Sequence, residues 1–141
     1  MSSNRKLLKV ISFVQVIVAI IVGILGAISL AGAGVAAEGV YNLFGIELDA
    51  VALATAMGVT FDVTAILSLI CAFMGIRGAN RPSSLGSHFL FCVLAVIAGF
   101  VSVAVSGNMG EFAAPTIVFV AIVVAIAAAF WDKRVRTELD R

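Results

Sequence analysis

The sequence predicts an all-α, integral membrane four-helix transmembrane bundle, and three observations carry that prediction. Four long apolar runs fill most of the chain, the basic residues fall into three tight clusters, and turn-forming residues punctuate the runs. Of 141 residues, 62% are hydrophobic and 12% charged, whereas a soluble domain is about half apolar and one quarter charged. A chain this short cannot cover so much apolar surface in water, and lipid is the solvent that matches it. The runs leave no room for a soluble domain, so residues 1–141 read as a single transmembrane domain.

The clusters are Arg5, Lys6 and Lys9; Arg77 and Arg81; and Lys133, Arg134, Arg136 and Arg141, with no Lys or Arg between them. Short loops rich in Lys and Arg stay on the cytoplasmic side. The expectation is a multi-pass protein of the cell membrane with both termini and the middle loop cytoplasmic. Glu38, Glu47, Asp49 and Glu111 fall in the outer segments, where they could attract cations, although a positive-inside chain leaves its acids there in any case.

The first helix is expected over about 10–30, after a polar start. Its basic flank, apolar run and following AGAGVAAEG segment also resemble a signal peptide cleaved near Ala33 or Ala37. Its run of about 21 residues exceeds the usual signal core of roughly 7–15, which favours a retained signal-anchor helix. The outer loop, 32–49, places Val40, Leu43, Phe44 and Ile46 or Leu48 on one side of a helical wheel. One reading is a short interfacial helix with Tyr41 and Phe44 at headgroup level; the other is an ordered apolar loop. Asp49 suits the N-cap of a second helix over 50–76.

The cytoplasmic loop, 77–87, contains Gly, Pro and Ser, and Ser83, Ser84 or Ser87 can cap the third helix, 88–106. The connection GNMGEF leads to a fourth helix over 114–131, with Pro115 in its first turn, Glu111 near its positive end and Trp131 at the inner interface. The tail, 132–141, reads as charged and solvated. Aligning Phe13, Ala19, Ile21 and Gly23 with Phe89, Ala95, Ile97 and Gly99 suggests a parallel duplication of one hairpin, although apolar helices also match by chance.

Transmembrane helices associate through close backbone approach and polar contacts. Gln15, Ala19 and Gly23 form a small-residue strip on the first helix; Ala54 and Gly58 lead to Asp62 on the second; Ala95 and Gly99 mark the third, and Ala121, Ala125 and Ala129 the fourth. Gln15, Ala19, Gly23, Gly58 and Gly99 are therefore the expected helix-packing residues. The lipid bilayer is one partner, and the strips also fit a homo-oligomer or another membrane protein.

Asp62 is the ionisable side chain deepest within an apolar run, roughly 20 Å from both Asp49 and Arg77. A charge at that depth costs roughly 3 kcal/mol or more on insertion scales. It is a candidate ion or proton site with Thr60 and Thr64 as oxygen donors, or, protonated, a packing group bonded to Ser29 or Ser102. No second buried acid and no buried cation offers it a countercharge on this reading.

His88 reads as a polar anchor at the membrane interface. Cys71 and Cys92 lack CxxC or zinc-type spacing and read as small packing residues, with a redox pair as the alternative. One His and two separated Cys make a transition-metal site within one chain improbable, and no metal or other cofactor is expected. The sequence holds no GxSxG, HExxH or phosphate-cradling glycine loop. The expectation is a non-enzymatic membrane component or complex subunit, with a small-ion transporter or channel subunit built on Asp62 as the alternative. The few basic residues fit anionic headgroups rather than nucleic acid.

Overall fold

The computed structural model describes residues 2–32, 40–43, 46–106 and 113–139. Residues 33–39 of the small-residue segment that resembles a cleavage site, Glu38 among them, and Phe44, the GNMGEF connection with Glu111, and Arg141 lie outside them. Four helices, α1 (Ser3–Gly32), α2 (Ala50–Asn80), α3 (His88–Ser106) and α4 (Ala113–Leu139), build the fold. Each is long and apolar enough to cross a membrane. They form a ring in which α1 packs on α2, α2 on α3, α3 on α4 and α4 back on α1.

Each helix turns small residues inward and branched ones outward. Ala19, Ala54, Ala95, Ala121 and Ala125 are buried, while Ile17, Ile28, Ile66, Phe73, Leu90, Ile97 and Val123 stay exposed. In water this arrangement would be inside out; for a lipid-facing bundle it is the stable one, because close helix approach supplies the packing energy. Val18, Val22, Phe61, Ala65, Val118, Ala121 and Ile122 make the largest core cluster.

Between α1 and α2, strand β1 (Val40–Leu43) pairs antiparallel with β2 (Ile46–Asp49), placing Val40 opposite Asp49 and Leu43 opposite Ile46. Residues 40–43 and 46–49 are extended, in a segment whose wheel pattern offers a short helix or an ordered loop. Backbone groups pair across the two short strands, and the wheel pattern of so short a segment gives a helix little else. Asp49 ends β2 and caps α2, its carboxylate accepting from the Ala52 N–H at 2.7 Å.

The start of α1, the last turn of α4 and the α2–α3 loop meet at one end of the bundle. Ser2 and Asn4 donate to the Glu138 carboxylate at 2.7 Å each, and the Arg5 guanidinium donates to the carbonyls of Ala79 and Asn80 at 2.8 and 2.7 Å. Leu8, Ala79, Leu85 and Val135 close this end, with Trp131 packed on them. Lys133 lies over the Phe89 ring at 5.0 Å and Arg134 over Phe130 at 4.9 Å, so their stems lie along apolar surface.

The segment after Trp131 differs from its expected solvated form. α4 continues to Leu139, and Asp132 and Val135 are fully buried. Helical period explains the difference. Ala121, Ala125, Ala128, Asp132 and Val135 follow the 3.6-residue repeat and form one buried stripe, whereas a strict four-residue step through Ala129 drifts off it.

Candidate functional site

One turn inward from that end, a polar cluster sits where helix backbones approach closely. Gly86, with φ of +50°, follows the Pro82–Ser84 3₁₀ turn. Its left-handed conformation, open to glycine at little cost, redirects the chain so that α3 starts at His88. His88 is fully buried. Its Nδ1 lies 2.6 Å from Asp132 Oδ2, and the other carboxylate oxygen accepts from Arg136 Nε. Arg136 also donates to the Gly86 carbonyl at 2.7 Å. The carboxylate therefore bridges α3 and α4 and clamps the turn that positions the ring.

This arrangement fixes the imidazole. With Nδ1–H donating to Asp132, the neutral form of the ring carries its lone pair on Nε2. That nitrogen faces Cys71 Sγ and Cys92 Sγ at 3.5 Å each. Cys92 comes one turn after His88 on the same helical face, and Cys71 comes from α2. The two cysteines are paired as a disulfide with Cα atoms 5.7 Å apart, and Ala128 packs on them with Ile11, Phe91 and Ala129. A Cβ at Gly75 would fall on Ser12 Oγ and within 3.0 Å of His88 Nε2, so only glycine lets α1 and the ring meet there. The Ser12 hydroxyl and both polar atoms of the Gln15 amide are buried and, among the described residues, find no hydrogen-bond partner.

Chemically this is a disulfide-joined cysteine pair with an adjacent imidazole, held by a carboxylate and buried from solvent. It is built from neither an exposed cleft nor a long loop, and its polar groups converge from all four helices. No protein-family model, curated protein or solved structure matches this chain. The chemistry of the site must therefore come from its own geometry.

Several sequence expectations change here. His88 is no interfacial anchor, because the turn at Gly86 drives it into the bundle. Buried His88 and partly exposed Arg136 both bond to a carboxylate, but it is that of Asp132 and not of Asp62. The cysteines, though they pack, also pair with each other. Three metal-ligating atoms, from Cys71, His88 and Cys92, gather within 4.8 Å, which the linear spacing gave no reason to expect.

The Asp62 site is not assembled as expected. Asp62 is half-buried and points at α1, its carboxylate lying against the position a Gly26 Cβ would take. Thr60 and Thr64 donate to carbonyls of their own helix, Met57 at 2.9 Å and Thr60 at 2.8 Å. The Thr64 hydroxyl also meets Ser102 of α3 at 2.9 Å, away from Asp62. Ser29 donates instead to the Ala54 carbonyl at 2.9 Å. Among the described residues Asp62 has no hydrogen-bond partner.

Ala19 is 1% exposed, Gly23 faces Ala65 of α2, Gly58 faces Leu30 and the Gly26 carbonyl of α1, and Gly99 faces Ile122 of α4. Gln15 is buried too, its amide without a hydrogen-bond partner among the described residues.

Proposed function

We propose that this chain is a non-enzymatic component of the cell membrane, with both termini cytoplasmic, whose Cys71–Cys92 pair works as a redox switch. The observation that supports the reading is the convergence of both sulfurs on His88 Nε2 at 3.5 Å, with Asp132 fixing the ring from behind. The basic end of the bundle faces the cytoplasm by the positive-inside rule. There the pair rests as a dithiol, since cytosolic thiols are kept reduced.

A small peroxide is the oxidant that can reach a buried pair. One thiol passes its proton to His88 Nε2, and the thiolate attacks the peroxide to give a sulfenic acid and water. The second thiol condenses with that sulfenic acid, forming the disulfide and releasing a second water. The balance is two thiols and one hydrogen peroxide to one disulfide and two waters. Cellular dithiols reset the pair by exchange. Oxidation ties α2 to α3 and so alters the bundle that presents the small-residue faces to a second copy or another membrane protein.

Thiol counting on membranes by mass-tag alkylation tests this reading. The expected series is two reactive thiols in resting denatured protein, none after peroxide, and two again after a reductant. Two thiols throughout would exclude the switch.

Asp62 supports a second reading. A half-buried acid without a partner at the α1–α2 seam suits a proton or cation site in an oligomer, because four helices cannot enclose a conduit around one acid. Proton flux in liposomes present in the wild type and absent from folded Asp62→Asn would favour it; background leakage in both would remove it.

A further inference from the structure

We infer that the reduced Cys71–His88–Cys92 cluster is a binding site for a thiophilic divalent cation of the zinc type, an inference that rests on the proposed resting dithiol. The donor spacing is the first ground. A tetrahedral ion with bonds of about 2.3 Å to sulfur and about 2.05 Å to nitrogen holds those donors roughly 3.6 Å apart. His88 Nε2 lies 3.5 Å from each sulfur, so both nitrogen–sulfur edges already have the required length, and a small rotation aims the ring at the ion. Opening the disulfide and letting the sulfurs part to roughly 3.8 Å completes the set.

The tautomer is the second ground. Asp132 holds the Nδ1–H at 2.6 Å, which leaves Nε2 free as a ligand. A carboxylate behind a coordinating imidazole is the usual support for such a ligand, fixing its orientation and raising its basicity. Charge is the third. Two thiolates, a neutral imidazole and a divalent cation sum to zero, and Asp132 is balanced separately by Arg136. Only a neutral assembly is tolerable this far from water.

The fourth ground is independent of the ligands. Ser12 Oγ is fully buried and, among the described residues, unpartnered, and both it and His88 Nε2 border the position a Gly75 Cβ would take. An orphan hydroxyl there supplies the oxygen donor that three protein ligands leave lacking in a four-coordinate site. Gln15, one turn along α1 and equally unpartnered, lies on the same helical face and backs it. Site and switch are then two states of the same atoms: the dithiolate holds the cation, and disulfide formation expels it.

Full-length protein in nanodiscs, reduced with a non-chelating phosphine, is loaded with zinc or cobalt(II). His88→Gln, Cys92→Ser and Asp132→Asn are loaded alongside, with helicity followed by circular dichroism. The expected result is about one metal ion per chain, thiolate-to-cobalt charge-transfer absorption with tetrahedral ligand-field bands, and release of the ion by peroxide. His88→Gln and Cys92→Ser should abolish the absorption, and Asp132→Asn should weaken binding by about tenfold or more. Helical wild-type protein with two free thiols and no cobalt absorption would overturn the inference while leaving the redox switch intact. Undiminished binding by folded Cys92→Ser would overturn it as well. Should the variants not fold, the wild-type cobalt spectrum decides the matter alone. Metal binding by a pair that never cycles with peroxide would instead remove the switch and keep the site.

Discussion

Two aspartates placed in long apolar helices meet opposite fates in this bundle. Asp132 is fully buried and has two charged or polar partners, His88 and Arg136. Asp62 is half-buried, and no partner approaches it among the described residues; the backbone at Gly26 and Gly58 of α1 and α2 is what lies near it. An acid in an apolar helix therefore does not by itself mark a site in a helical bundle. What separates the two is whether neighbouring helices bring polar atoms to the same point. At Asp132 they do, and a base, two sulfurs and an orphan hydroxyl follow. At Asp62 the nearby hydroxyls bond along their own helix or across to α3.

The contrast predicts a ranking of effects, and each member of the ranking can break it. Asp132→Ala removes the shared acceptor of a buried imidazole and a guanidinium, and should cost about 3–5 kcal/mol. Thermal unfolding in detergent micelles measures this, and a loss no larger than that of Asp62→Ala would erase the distinction. Gly75→Ala comes next. Its methyl collides with Ser12 and His88, so overpacking should cost about 1–3 kcal/mol and slow disulfide formation; an unchanged oxidation rate would show that the ring is not held as described.

A smaller effect is expected where one hydrogen bond joins two helices. Thr64→Val combined with Ser102→Ala should show a coupling of about 0.6 kcal/mol in a double-mutant cycle. No coupling would mean that the 2.9 Å contact between these hydroxyls contributes nothing. Asp62→Asn is expected to have the smallest effect on stability, within about 0.5 kcal/mol, since no partner is lost. A large destabilisation would reveal a bond to Asp62 and bring the two aspartates into one class.

The frame of the molecule was legible in the sequence and its centre was not, for a physical reason. Apolar runs and basic clusters report on a helix and its solvent, which are properties local to each segment. The gathering of Arg5, Arg136 and the α2–α3 loop at one end follows from them. The centre depends on the rotation of each helix about its axis, which only packing sets. Half of it was nevertheless readable as pairs: His88 with Cys92, and Asp132 with Arg136, each four residues apart on one helical face. Continuing the α4 stripe by the true helical period, through Ala128 rather than Ala129, reaches Asp132 and Val135. What no single helix records is that Cys71 of α2 and Ser12 of α1 come to the same ring. Asp62 drew notice because charge in an apolar run is conspicuous, whereas Asp132, beside Lys133 and Arg134, looked like part of a solvated tail.

The most direct test of the account is peptide mapping of mildly oxidised membranes by mass spectrometry. The geometry predicts an intramolecular cross-link between the peptides that contain Cys71 and Cys92, formed in wild type and much slower in Asp132→Ala. Thiols that stay free, or that link only between separate chains, would contradict a single centre built around His88.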